Sequence, residues 1–180
     1  MNAGTPRDDV RIRVAEARDA AAVAAIYNEG IRGRGATFET TERSADDVLG
    51  WFSAAGSLAR PFLVAERSGG VDHELLGWVR ASSYRSRACY DGVAEFSVYV
   101  AASARGKRVG DALMASFVDA CARSGIWKIL SRIFPENAAS RALCVRHGFR
   151  EVGTYERHAQ LDGVWRDVVI VERLIPENQR

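Results

Sequence analysis

The chain has 180 residues, 47% of them hydrophobic, which is enough for one domain with a full core. Its 25 basic and 23 acidic side chains leave a formal charge of +2, a balance that favours neither nucleic acid nor a membrane surface as a partner. Three widely spaced cysteines, Cys89, Cys121 and Cys144, argue against a disulfide framework and against a metal site. With no long apolar run and no signal-peptide pattern, we expect a cytoplasmic protein.

Hydrophobic periodicity predicts a chain that mixes helices and strands. Alternating side chains indicate strands, apolar residues at helical spacing indicate helices, and glycines mark the breaks between them. In chain order the pattern predicts a strand at 11–14, helices opening at Asp19 and Ser44, strands at 61–66, 75–81 and 93–100, a helix from Val109 to the Ser124-Gly125 stop, a strand at 127–134, a helix at 137–147, and an antiparallel pair at 149–155 and 164–173.

This order by itself supports one α/β or α+β domain with a central mixed sheet. No linker or repeat divides the chain, and we expect the domain to span residues 10–175. Residues 1–9 and 176–180 are predicted to be flexible termini.

A basic, glycine-containing loop connects the strand at 93–100 to the next helix. Its sequence is Arg105-Gly106-Lys107-Arg108-Val109-Gly110, and it places backbone N–H groups and a helix N-terminus at the end of a strand. Such donors suit the phosphates of a cofactor, and glycines let the backbone approach closely. From the residues alone, a solvated basic turn is the alternative interpretation.

A second segment, residues 137–149, begins with Asn137 and ends with Gly148-Phe149. Taken alone it is typical of an Asn-capped helix with an apolar stripe. Together, the two segments resemble the Arg/Gln-x-x-Gly-x-Gly/Ala loop and the Asn-x-x-Ser/Ala…Leu-Tyr-x-x-x-Gly-Phe segment of GNAT acetyltransferases. The resemblance implies the GNAT fold, a mostly antiparallel mixed sheet flanked by helices.

The same resemblance implies acetyl-CoA as the co-substrate. Asn137 is then expected to hydrogen-bond the pantetheine arm, and the loop to hold the pyrophosphate. Arg108 stands where the superfamily usually has its first glycine, and we expect a helix-entry conformation there that does not require glycine. The implied cofactor-binding residues are Val98, Tyr99, Val100, Arg105, Gly106, Lys107, Arg108, Val109, Gly110, Asp111 and Asn137.

Five further segments, at 27–31, 36–40, 84–91, 94–100 and 163–168, are similar to phosphinothricin N-acetyltransferases. That group acetylates the amino group of phosphinothricin, methionine sulfoximine and related glutamate mimics. The run at 131–137 resembles the branch linked to arsinothricin resistance. The resemblance implies direct transfer to an α-amino group, and also a homodimer. Two alternatives stay open. The chain is either a GNAT acetyltransferase for another small primary amine or a protein N-terminus, or a non-catalytic acyl-CoA-binding module.

The substrate class suggests roles for a cluster of arginines and aromatic residues. Arg85 and Arg87 are candidates to clamp an anionic end of the substrate by bidentate hydrogen bonds. Tyr84 and Tyr90 would form a wall, and Phe38 would cover the substrate. The residues alone favour an exposed Arg/Tyr hairpin face instead.

Three residues are candidates for the chemistry itself. Glu95 aligns with the glutamate of this family, and we expect a buried carboxylate with a raised pKa that takes the proton of the α-ammonium. The alternative is an outward-facing strand glutamate. The backbone N–H of Val98 is expected to stabilise the tetrahedral oxyanion. Cys144 is either the general acid for the departing thiolate or a small core residue.

Overall fold

The computed structural model describes residues 10–52, 59–68 and 74–179. The predicted flexible segment at 1–9 and the glycines of the turn at 68–70 lie outside the described residues. The helices and strands follow the predicted order: β1 (Val10–Val14), α1 (Ala20–Arg32), α2 (Ala45–Phe52), β2 (Phe62–Arg67), β3 (Leu75–Ser83), β4 (Val93–Val100), α3 (Val109–Arg123), β5 (Lys128–Ile133), α4 (Ala138–Arg146), β6 (Arg150–Leu161) and β7 (Val164–Leu174).

The seven strands form one sheet in the order β1-β2-β3-β4-β5-β7-β6. Every neighbouring pair is antiparallel except β4 and β5, which run parallel. The predicted fold class, a mixed and mostly antiparallel sheet flanked by helices, is therefore confirmed.

Helices cover both faces of the central strands. Phe96 of β4 packs against Phe117 of α3, with ring centres 5.8 Å apart, on one face. Tyr99, an odd number of residues further along β4, points to the other face and packs against Tyr27 of α1 at 4.8 Å. The buried core on the α3 side includes Leu113 and Met114, both fully buried. The two faces of β4 therefore separate a packed core from the aromatic side of the sheet.

The parallel strands β4 and β5 diverge after a short paired stretch. They pair only from Val93 to Glu95, whereas β5 continues to pair with β7 as far as Ile133. Beyond Glu95 the hydroxyl of Ser131 donates to the carbonyl oxygen of Phe96 at 2.9 Å. Backbone groups two residues apart in a strand point the same way, so those of Val98 and Val100 face the gap between β4 and β5.

The last two strands are longer than predicted. β6 runs to Leu161, whereas the sequence pattern ended it at residue 155. At that point a bulge between Tyr155 and Ala159 interrupts its ladder with β7. Arg157 within the bulge has a φ of 46°, and its N–H donates to Asp167 at 2.7 Å. The bulge breaks the alternation by which a strand is recognised.

Close to the end of the chain, Pro176–Asn178 form a single 3-10 turn. The Asn178 amide donates to the carbonyl oxygens of Ala122 and Ile126 at 2.8 and 2.9 Å. These bonds hold the turn against the end of α3, at the start of the segment predicted to be flexible. Among the described residues, no helix is long and apolar enough to cross a membrane.

Candidate active site

An open cleft of about 930 Å³ lies where β4 ends, between the start of α3 and the helix α4. The end of α1 and the segment after it close the opposite side. Of the eleven predicted cofactor-binding residues, only Lys107 does not line this cleft. The ten that do are Val98, Tyr99, Val100, Arg105, Gly106, Arg108, Val109, Gly110, Asp111 and Asn137.

The start of α3 offers the cleft a set of free backbone donors. The first hydrogen bond within the helix runs from the N–H of Ala112 to the carbonyl oxygen of Arg108, at 3.1 Å. The N–H groups of Val109, Gly110 and Asp111 therefore have no acceptor within the helix. No side chain caps this end of α3 in the described part of the chain. Such an arrangement fits the pyrophosphate of a nucleotide cofactor.

Arg108 does not adopt the conformation expected of it. Its φ of 62° and ψ of 14° are left-handed, so the expectation of an ordinary helix entry is wrong. In this region the Cβ crowds the following carbonyl group, which costs about 1–2 kcal/mol in an L-residue, whereas glycine is free of that penalty. The usual glycine at this position therefore has a conformational reason, and Arg108 introduces local strain.

Replacing Arg108 with glycine is expected to raise the free energy of unfolding by about 0.5–1 kcal/mol. The free energy gained by relieving the left-handed strain exceeds the free energy lost because glycine increases the conformational entropy of the unfolded chain. The melting temperature should rise by about 1–4 °C. Arg108→Ala is the matched control, because it removes the same charge but keeps the Cβ and should not gain stability. If both variants have the same melting temperature, relief of backbone strain at this position does not stabilise the protein.

The three acidic groups that line the cleft all have partners, and that of Glu136 is Arg166. Hydrogen bonds from Arg146, at 2.9 and 3.3 Å, lower the pKa of Asp111 despite its partial burial, and His147 lies 3.2 Å from the same carboxylate. Glu29 accepts the N–H of Ala102 at 2.7 Å. The ion pair with Arg146 offsets the negative charge of Asp111 at the start of α3. An anion can therefore approach the free N–H groups there without strong repulsion.

Asn137 joins two walls of the cleft. Its side-chain oxygen accepts the N–H of Ser140 at 3.1 Å and so caps α4, while its amide donates to the carbonyl oxygen of Gly35 at 3.3 Å. The helix cap expected from the residues alone is thus present. A bond from Asn137 to the pantetheine arm stays a prediction.

Glu95 is the last residue of β4 to pair with β5, at the point where the gap begins. Its side chain is 26% exposed, and Oε1 accepts a hydrogen bond from Arg132 at 2.5 Å. The expected burial of this carboxylate is therefore wrong. Arg132 was not predicted as a functional residue. It lies two residues beyond Leu130, the partner of Glu95 in the ladder, and only the strand register reveals their proximity.

Cys144 faces the core rather than the cleft. It is 1% exposed and belongs to the main hydrophobic cluster, and burial raises the pKa of its thiol to about 12. Its neighbour Leu143 lines the cleft instead. Of the two interpretations, the structure supports the small core residue, and no geometry links Cys144 to a departing thiolate.

The four residues predicted to bind substrate on the β3–β4 connection do not border the cleft. Tyr84 and Tyr90 pack edge to face at 5.6 Å, and the Arg85 guanidinium lies 5.1 Å from the Tyr84 ring centre. Arg85 and Arg87 are both exposed. The structure thus shows the exposed Arg/Tyr face that the residues alone favoured.

Phe38, the fifth predicted substrate residue, lies elsewhere. Its ring contacts Phe134 at 4.8 Å, next to a small cluster with Leu161 and Val168, and His158 is 6.4 Å away. Phe38 therefore packs against a small apolar cluster, formed by Phe134 just after β5 and by residues of β6 and β7, rather than on the Arg/Tyr face.

A second cavity, of about 240 Å³, lies on the aromatic side of the sheet. Tyr27 and Trp78 line it, and both rings contact Tyr99, which lines the larger cleft. The three rings thus form a wall between the two cavities. The remaining lining residues are Glu39, Arg43, Trp51, Arg80, Ser82 and Ser97, none of which was predicted as a site residue.

Comparison with known proteins agrees with this geometry. The model of the acetyltransferase (GNAT) family matches residues 23–149. A Bacillus subtilis (strain 168) protein, named as a candidate phosphinothricin acetyltransferase, is 35% identical over 162 residues, covering 90% of this chain and 97% of that protein. The L-methionine sulfoximine/L-methionine sulfone acetyltransferase of Pseudomonas paraeruginosa is 30% identical, covering 89% and 92%.

A solved structure shares both the fold and the expected cofactor. It is a GNAT superfamily phosphinothricin acetyltransferase from Sinorhizobium meliloti in complex with acetyl-CoA, with a TM-score of 0.83 and 28% sequence identity. The similarity covers 93% of this chain and 89% of that one. The chain belongs to the GNAT family of acetyltransferases. It is an acetyl-CoA-dependent N-acetyltransferase, and the unpaired N–H groups at the start of α3 suit that co-substrate.

Proposed function

We propose that this enzyme acetylates the α-amino group of phosphinothricin-like amino acids, a detoxification activity. Phosphinothricin, methionine sulfoximine and arsinothricin are the candidate acceptors. The observation that carries the proposal is a large cleft suited to acetyl-CoA beside a smaller polar cavity, with one aromatic wall between them. The names of the relatives support the same acceptor class.

In this proposal the gap between β4 and β5 positions the thioester. The pyrophosphate lies at the N–H groups of Val109 to Asp111, and the pantetheine arm follows the backbone of Val98 and Val100. The Val98 N–H then faces the thioester carbonyl and stabilises the oxyanion that forms on attack. Arg105 and Arg108 add positive charge at the phosphate end.

The chemical step needs a base that removes one proton from the α-ammonium. Glu95 takes that proton directly or through a water molecule, since it lies where the gap begins and its Oε2 has no donor among the described residues. The free amine attacks the thioester carbonyl, and collapse of the intermediate breaks the C–S bond. The second amine proton, released through water, ends on the CoA thiolate, so Cys144 is not required.

We also propose that the enzyme acts as a homodimer in the cytoplasm. The edge strand β6 is exposed over most of its length, and large apolar side chains are exposed on it and on β7: Val152, Tyr155, Val164 and Trp165. An exposed edge with such side chains favours association with a second copy. Light scattering should give twice the monomer mass of 19.7 kDa, and a monomer at micromolar concentration would refute the dimer.

The proposed function is tested by measuring release of the CoA thiol from acetyl-CoA with a panel of amines. We expect turnover with phosphinothricin, methionine sulfoximine or arsinothricin, and none with polyamines or a peptide N-terminus. Activity confined to a peptide amine would select a protein N-terminal acetyltransferase. Binding of CoA without turnover on any amine would instead indicate a non-catalytic module.

A further inference from the structure

The smaller cavity contains a cation that lacks a carboxylate partner. Arg80 of β3 stacks on Trp51, with its guanidinium carbon 5.2 Å from the ring centre, and donates to the Trp51 carbonyl oxygen at 3.4 Å. No carboxylate of the described residues forms an ion pair with it. Arg43, the other cation of this cavity, is by contrast paired with Glu39 at 2.6 Å. Within the described part of the chain, no carboxylate therefore compensates the positive charge of Arg80.

Partial burial makes that charge costly. Removal of water lowers the pKa of the Arg80 guanidinium, since desolvation disfavours its charged form. A guanidinium nevertheless keeps its charge at neutral pH. A partly buried charge without a counter-ion is unusual in a protein and gains most from an anionic ligand.

A second, independent donor borders the same cavity. Trp78 is 2% exposed, and its indole Nε1 is buried with no hydrogen-bond partner among the described residues. The Ser97 hydroxyl is a further donor in the lining. Unsatisfied buried donors are rare and commonly mark a place where a ligand or an ordered water supplies the acceptor. The lining of the cavity thus combines a cation that has no carboxylate partner among the described residues, a tryptophan with an unpaired indole N–H, and a serine hydroxyl.

The strand register places this cavity next to the reaction centre. Ser82 pairs with Glu95, Arg80 with Ser97 and Trp78 with Tyr99, all on one face of the sheet. Residues two apart in a strand are separated by about 7 Å, and neighbouring strands by about 4.8 Å. The pair of Arg80 and Ser97 is therefore the next pair on this face after that of Ser82 and Glu95. Arg80 lies on β3, on the side of β4 opposite the gap. An amine at the gap and an anion at Arg80 would belong to the two ends of one short molecule.

We propose that Arg80 binds the side-chain anion of the acceptor amino acid, with the Trp78 indole and the Ser97 hydroxyl as additional donors. The site then selects acceptors with a phosphinate, arsinate or carboxylate side chain over acceptors with a neutral one. The inference rests on the proposed function and narrows its substrate class. It assigns to Arg80 the role that was expected of Arg85 and Arg87, which are exposed and do not line the cavity.

The test compares Arg80→Met with the unaltered enzyme on two acceptors of similar size, anionic phosphinothricin and neutral methionine sulfone. Loss of a charge-assisted hydrogen bond should lower kcat/KM for phosphinothricin by roughly 30- to 100-fold, mainly through KM. For methionine sulfone the change should stay within about 3-fold. Arg123→Met, at the exposed end of α3, is the matched control and should alter neither value. Equal loss on both acceptors, or no loss, would overturn the proposal.

Two further measurements cover the remaining cases. If Arg80→Met does not fold, Arg80→Lys keeps the charge but loses the planar fork, so it should lower kcat/KM for phosphinothricin and leave kcat/KM for methionine sulfone unchanged. If the unaltered enzyme acetylates none of these acceptors, the proposed function fails, and calorimetric titration with phosphinothricin decides the inference separately. Binding that is lost in the Arg80 variant supports the anion site, whereas equal or undetectable binding in both proteins rejects it.

Discussion

Glu95→Gln is expected to lower kcat for acetyl transfer by roughly 100- to 1000-fold, the usual contribution of a positioned general base. Glutamine keeps the shape of the side chain and an oxygen that can accept the Arg132 hydrogen bond, but it cannot take a proton from the α-ammonium. The KM for acetyl-CoA should hardly change, since the start of α3 and the β4 backbone are untouched. Steady-state kinetics with the best acceptor of the panel measure both values.

The pH dependence separates this role from a merely structural one. As the pH rises through the range in which the acceptor amine deprotonates in solution, the need for a base falls and the deficit of Glu95→Gln should shrink. Glu42→Gln is the matched control, because the ion pair of Glu42 with Arg32 is exposed and is its one ion pair among the described residues. A Glu95→Gln enzyme that retains more than half of the original kcat would rule out Glu95 as the base.

Gly92→Ala is expected to lower the free energy of unfolding by about 2–4 kcal/mol. A Cβ at this buried position would lie 1.9 Å from the ring of Trp127, so the indole would have to leave its place. The carbonyl oxygen of Gly92 also accepts the N–H groups of Trp127 and Lys128, at 2.9 and 3.2 Å. Thermal melting should show a fall of roughly 4–16 °C.

Gly50→Ala makes the same chemical change in the helix α2, where an added Cβ meets nothing within 4 Å. It should leave stability unchanged or raise it by up to about 1 kcal/mol, because alanine favours helix. A Gly92→Ala protein as stable as Gly50→Ala would show that Trp127 can repack freely.

Glu95→Gln and Gly92→Ala both concern the place where β4 and β5 begin to diverge. Gly92 and Trp127 hold the two strands together at the start of their short ladder, and Glu95 is the last residue of β4 that pairs with β5 before the gap. We therefore expect Gly92→Ala also to disturb catalysis below its melting temperature, as a loss in kcat without a comparable change in the affinity for CoA.

Much of the fold follows from local patterns. The order of helices and strands was predictable because amphipathic periodicity and glycine breaks act within a few residues. β6 is the exception, since the bulge between Tyr155 and Ala159 interrupts its alternation and left its second half unrecognised. The left-handed conformation at Arg108 was also missed, because an arginine gives no local sign of a positive φ.

The loop that we propose to hold the pyrophosphate could be singled out from the sequence because its groups are contiguous. Free N–H donors and flanking cations at 105–111 require only that a strand end and a helix begin there. The pairing of Arg132 with Glu95, and the cavity that brings Arg80, Trp78 and Ser97 together, were decided by the tertiary structure. Alternation along a strand tells which residues share a face. Which residue of the next strand stands opposite depends on the register, and that is set by packing across the whole sheet.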